Sequence, residues 1–167
     1  MKLNIGCGGD YREGFINIDG SDKLSRVDKI MEISASSILK EFSPNMMSHI
    51  VCKDIIEHFF HWEGVEILEA CYVILKSEGT LWIQVPNTRA IIQSKLPLER
   101  KIRYLYGNQD INGAGIPFSE TRNKFPQFHS HKYGWEPISL SNELIKIGFK
   151  NILITPEGLN FVASCKK

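Results

Sequence analysis

The chain has 167 residues, 43% hydrophobic and 23% charged, with 13 Gly and 7 Pro. That is one domain's worth of chain, able to bury its own core; the apolar content excludes a disordered protein and the low Gly and Pro content a fibrous one. No apolar run approaches the ~20 residues that cross a bilayer, and the opening MKLNIGCGG turns glycine-rich too early for a secretion signal, so a single domain over 1–167, off the membrane and cytoplasmic, is expected.

The net charge of +1 hides an asymmetry: residues 1–84 hold 8 Lys/Arg against 13 Asp/Glu, and residues 85–167 hold 12 against 6. Much of the basic excess lies in 89–132, at Arg89, Lys95, Arg100, Lys101, Arg103, Arg122, Lys124 and Lys132. A basic segment beside an acidic half suggests two tasks on one surface. Cys7, Cys52, Cys71 and Cys165 are far apart and form no C-x-x-C, which fits reduced thiols better than disulfides or zinc.

In chain order, Lys2–Gly6 reads as a short strand stopped by glycines, and Gly14–Asp19 as a second ending in an acid. Val27–Ile33 suits a third strand, Met46–Cys52 a fourth, and TLWIQV at Thr80–Val85 is the clearest. Asn151–Thr155 and Leu159–Ser164 read as a closing hairpin. Trp62–Lys76 places Val65, Leu68, Cys71 and Leu75 on one helical face, and Ile138–Ile147 follows Pro137 and stops at Gly148. Residues 88–106 are partly helical, and 93–132 reads as a substrate lid or loop insertion. Strands alternating with helices imply an α/β, Rossmann-like, doubly wound sheet of seven strands, mostly parallel, with a C-terminal antiparallel hairpin. Ligands of such sheets bind beyond the carboxyl ends of the strands.

Gly6-Cys7-Gly8-Gly9 follows the first strand, where glycines let the backbone turn sharply and approach a ligand. The dinucleotide fingerprint needs a third glycine where Tyr11 stands, and no Gly-Lys-Ser/Thr follows, so nicotinamide and Walker-type readings lose ground. Asp19 could accept both hydroxyls of a ribose. Asp54-Ile-Ile-Glu57 fits a helix capping box, the preferred role for Glu57. His58 and His61 are three apart on the expected helix, but no third ligand is evident at suitable spacing, so no metal site is expected.

LNIGCGG, FINIDG, KDIIEHF, LEACYVILKSEGTLWIQVPN and HKYGWEP…LSNELIKIGFKNI, in that order, resemble class I S-adenosylmethionine-dependent methyltransferases, closest to small members with an EH motif. The likeness covers nearly the whole chain apart from 93–130. It implies S-adenosylmethionine as cofactor, with Gly6, Cys7 and Gly8 on its methionine part, Asp19 on the ribose and Glu32 near the adenine. Lys53 and Asp54 would line the pocket near the sulfonium, and Glu57-His58 would open the next helix. Only about ten residues join the first two strands, too few for the usual crossover of ~10–12 residues with its helix. That puts cofactor affinity in question.

The residue chemistry adds candidates for proton removal from an acceptor, His58, His129 and His131. Tyr104, Tyr106, Phe118, Phe125, Phe128, Tyr133 and Trp135 interleave with the basic residues, which suits a small-molecule acceptor such as a sugar, nucleotide-sugar or other anionic metabolite. They would equally pack a lid or a homodimer contact. A nucleic-acid acceptor is disfavoured: pI is about 7.7, and Lys53-Asp54-Ile55-Ile56 replaces the N-methylase signature. The competing function is a non-catalytic cofactor-binding or partner subunit of the same fold.

Overall fold

The computed structural model describes residues 1–107, 109 and 126–167. Seven strands form one sheet in the order β3-β2-β1-β4-β5-β7-β6. They are β1 Lys2–Ile5, β2 Ile16–Asp19, β3 Lys29–Ile30, β4 Met47–Lys53, β5 Leu75–Pro86, β6 Lys150–Glu157 and β7 Asn160–Lys166. The first five run parallel, and β7 pairs antiparallel with both β5 and β6. This is the expected doubly wound sheet with its closing hairpin. Strand order turns at β1, which has β2 on one side and β4 on the other, so the switch point lies at the carboxyl ends of β1 and β4.

The described helices are α1 Ala35–Glu41, α2 His61–Ile74, α3 Thr88–Gln93, α4 Leu98–Tyr106 and α5 Pro137–Ile147. Pro137 opens α5, and Gly148 ends it in the left-handed conformation at φ 110°. The α2 face carrying Ile67, Leu68, Cys71 and Ile74 is buried with the apolar residues of β1, β4 and β5. α4 buries none of its residues. Of the 93–132 segment, residues 108 and 110–125 lie outside the described residues, and with them Phe118, Arg122, Lys124 and Phe125.

Among the strands, β3 and β5 differ most from their sequence expectation. β3 is two residues long rather than spanning 27–33, because the preceding Asp28 is committed to Asn17: its carboxylate accepts from the Asn17 amide at 2.8 Å. β5 begins at Leu75 rather than at Thr80, with a register jump from Met47–Leu75 to His49–Thr80 that absorbs the Lys76–Gly79 turn.

No helix separates β1 from β2, as the short connection foretold. Two buried asparagines do its work. Asn4 and Asn17 face each other across the β1–β2 pair and are 1% and 0% exposed. Asn4 Nδ2 donates to Asn17 Oδ1 at 3.0 Å and to the Asp10 carbonyl at 2.7 Å. Asn17 Oδ1 also accepts from the Arg12 amide at 2.8 Å, while Asn17 Nδ2 donates to the Arg12 carbonyl at 3.0 Å. The loop's backbone polar groups are thereby satisfied by side chains inside the sheet rather than by helical turns.

Replacing Asn17 with Leu should therefore leave several loop groups unpaired. We expect a loss of about 2–3 kcal/mol in unfolding free energy by urea titration, the cost of orphaned buried polar groups. A loss under about 0.5 kcal/mol, typical of an unimportant surface change, would contradict this role.

Candidate active site

A cavity of about 950 Å³ opens at the switch point. Its wall begins with the loop after β1. Gly6 sits at φ 64°, and a Cβ there would lie 2.3 Å from Ile55 Cδ1, so only glycine allows the chain to turn under that side chain. Gly8 follows at φ 49° and donates its amide to Asp19 Oδ2 at 2.8 Å. The other Asp19 oxygen accepts from the Ser21 amide at 2.9 Å. A carboxylate has about four lone-pair positions, so two remain for ligand hydroxyls. Asp19 thus fixes the loop and keeps capacity to bind.

Of the residues expected at the site, Gly6, Gly8, Asp19, Glu32, Asp54, His58, His129 and His131 line this cavity. Cys7 and Lys53 are not part of the lining. The Cys7 side chain is buried, its amide donates to the Ile18 carbonyl at 3.0 Å, and burial followed by the Asp19 charge pushes its thiol up to about 11. Lys53 places its ammonium 3.9 Å from Asp10 Oδ2.

The segment after β4 departs from the helical expectation. Ile56–His58 forms one 3-10 turn, and α2 starts only at His61, where Glu63 accepts from the Phe60 amide at 2.9 Å. Asp54 is not a helix cap: it holds φ 51° and its carboxylate meets Gln84 Nε2 at 3.4 Å. Glu57 is not one either. It is 2% exposed, and among the described residues neither carboxylate oxygen has a hydrogen-bond partner. Burial, then the nearby Asp54 charge, push its carboxyl well above the usual range.

His58 and His61 do not share a face. His61 packs on Tyr133 and Trp135, whereas the His58 ring lies 4.9 Å from that of His131, edge to face. Burial, then the neighbouring His131, push His58 down to about 4. Burial also lowers His131. The two distant segments are joined by backbone: the amides of Lys132 and Tyr133 donate to the Glu57 carbonyl at 2.8 and 3.2 Å, and that of His131 to the Tyr106 carbonyl at 3.1 Å. Gly107, at φ 80°, lets the chain cross, since a Cβ there would come within 2.1 Å of the His129 carbonyl oxygen.

Tyr104 and Phe128, expected among the aromatics on the acceptor side, also line the cavity; Glu57, Phe59 and Asn160 line it too and were not assigned to it from the sequence. Glu57 alone left a signal: an acid inside the apolar run Ile55-Ile56…Phe59-Phe60 is set to be buried, but the capping-box spacing offered an easier explanation. The others are non-local.

Solved structures share this fold. A S-adenosylmethionine-dependent methyltransferase from Archaeoglobus fulgidus superposes at TM-score 0.67 with 17% identity, over 99% of this chain and 85% of that one. One from Thermotoga maritima gives 0.65 with 13% identity, over 99% and 81%. Phosphoethanolamine N-methyltransferase 2 of Haemonchus contortus, solved with S-adenosylmethionine, gives 0.58 with 14% identity, over 99% of this chain and 48% of that one. No family model and no curated protein matches the sequence. The chain has the class I S-adenosylmethionine-dependent methyltransferase fold.

Gly107→Ala should push the 129–131 segment away from Glu57 while leaving the sheet intact. In hydrogen-exchange measurements we expect protection of the Lys132 and Tyr133 amides to fall at least about tenfold, equivalent to 1.4 kcal/mol of local opening, with β4 and β5 unchanged. Unchanged protection at both amides would contradict the crossing constraint.

Proposed function

We propose that this chain is an S-adenosylmethionine-dependent methyltransferase acting on a small hydroxylated acceptor. The observation that carries this reading is convergence: the Gly6–Gly8 loop after β1, Asp19 at the end of β2, Glu32 after β3 and Asp54 after β4 all open onto one cavity at the switch point. Asp19 would take the cofactor's ribose hydroxyls, Glu32 would lie toward the adenine and Asp54 toward the sulfonium. The Gly8 amide is engaged by Asp19, so cofactor contacts fall to the remaining loop backbone and to Asp19's free lone pairs.

The lining supports a cationic donor. Asp19, Glu32, Asp54, Glu57, Glu63 and Glu66 face the cavity, with Lys132 the only Lys or Arg in its described lining. An acidic wall attracts a sulfonium and disfavours an anion inside the cavity. The basic residues of 89–132 are in part already engaged: Arg89 with Glu136 at 3.0 Å, Arg103 with Glu99 at 2.7 Å, and Lys101 with the Ile92 carbonyl at 2.7 Å. The acceptor class favoured is therefore a neutral, sugar-like alcohol, with any phosphate held outside the cavity.

Methyl transfer is a displacement whose main requirement is alignment of nucleophile, methyl and leaving sulfur. An alcohol must also lose its proton, and the corner built by His58, His129 and His131 is the place in the cavity suited to that step. The four cysteines are free and buried, which supports a reducing, cytoplasmic setting. Among the described residues no helix is long and apolar enough to cross a membrane.

Calorimetric titration with S-adenosylhomocysteine tests the reading. We expect binding in the wild type and a roughly 10–100-fold weaker constant in Asp19→Ala, from loss of charge-assisted ribose hydrogen bonds. Absence of binding in the wild type, or equal binding in the variant, would contradict it.

A further inference from the structure

We infer that Glu57, His58 and His131 form a binding site for one divalent transition-metal ion in the wall of the cavity. Each offers one ligand atom, and the three atoms lie within 4.8 Å of one another. Ligands sharing a zinc ion at ~2.1 Å sit about 3.4 Å apart in a tetrahedral site, so modest side-chain rotations would close the set.

Three observations point to an ion rather than to a chance cluster. The first is the Glu57 carboxylate, buried to 2% exposure and without a hydrogen-bond partner for either oxygen among the described residues. A carboxyl so placed is costly unless something compensates it, and a cation does so directly.

The second is the orientation of the imidazoles. His58 Nδ1 lies 3.1 Å from the Ser130 carbonyl oxygen, and His131 Nδ1 lies 3.0 Å from that of Tyr104. A carbonyl can only accept, so in each ring Nδ1 carries the hydrogen and Nε2 holds the lone pair. Donation of the far ring N–H to a backbone carbonyl is the arrangement that orients metal-binding histidines in proteins.

The third is the scaffold. The Glu57 carbonyl holds the Lys132 and Tyr133 amides, so the segment bearing His131 is fixed to the residue that supplies the carboxylate. Gly107 makes the approach sterically accessible.

The donor set names the class of ion. Two imidazoles and one carboxylate suit Zn²⁺, Fe²⁺ or Co²⁺, whereas Mg²⁺ and Ca²⁺ prefer oxygen. Three protein ligands leave at least one open position. The ion site stands on geometry alone; its use depends on the methyl-transfer reading. On that reading the open position would take the acceptor hydroxyl and lower its pKa; its proton would pass to solvent water, and its oxygen would take the methyl group as the S–CH3 bond breaks to the thioether, with His58 and His131 serving as ligands.

The test is titration of the purified, chelator-treated protein with Zn²⁺ alone by calorimetry. We expect one equivalent to bind, with affinity falling in Glu57→Gln, His58→Ala and His131→Ala by more than the about 10–100-fold that an orienting partner costs. His61→Ala, outside the cluster, should bind as the wild type does. Circular dichroism checks that each variant folds, and Glu57→Gln, nearly isosteric, guards against loss through misfolding. A Co²⁺-loaded sample should show visible d–d absorption that Glu57→Gln abolishes. No uptake by the wild type, uptake unchanged in the three variants, or uptake lost in His61→Ala would overturn the site. S-adenosylhomocysteine is titrated into the same samples: Zn²⁺ uptake without nucleoside binding would refute the methyltransferase reading and leave the ion site standing.

Discussion

The structure depends on a pair of buried amides. Asn4 and Asn17, opposed across two parallel strands, hold together a connection that has too few residues for a helix. A connection without a helix leaves a loop with many backbone groups to satisfy. The asparagine pair meets that need by reaching Asp10 and Arg12 from inside the sheet. With the loop anchored, Gly6 can turn beneath Ile55 and Gly8 can reach Asp19. The candidate cofactor loop is thus built by side-chain hydrogen bonds and two left-handed glycines.

A second constraint ties distant sequence together. Glu57 serves through both ends: its carbonyl receives two amides of the 132–133 segment, and its carboxylate stands in the cavity. The same residue that positions the far wall therefore supplies charge to it. This explains why a residue so costly to bury sits in a 3-10 turn rather than in the first turn of α2, where water would solvate it.

Much of the fold was legible because β1, β4 and the hairpin strands are apolar runs bounded by glycine, proline or acids, and because α5 carries start and stop signals. The early glycine loop, Asp19 and the absent first helix were legible for the same reason: each is local. What failed was non-local or over-explained. Asp54 and Glu57 matched a capping box in spacing, yet Asp54 turns away at positive φ and the helix starts at His61. His58 and His61 looked like neighbours on a helix, but His58's partner is His131, 73 positions on in the sequence. No spacing rule connects residues that meet only through a chain crossing at Gly107. Nor does one tell that Lys53 would lean to Asp10 instead of the cavity.

On the proposed function, this helix-free loop and its neighbours at the switch point hold the cofactor. The most direct measurement is amide chemical-shift mapping of the ¹⁵N-labelled protein during titration with S-adenosylhomocysteine. The expected result is a contiguous set of perturbed amides at Gly6, Gly8, Asp19, Gly20 and Glu32, with α5 and β6 unmoved. Perturbations confined to the α3–α5 face, or none at saturating nucleoside, would contradict it.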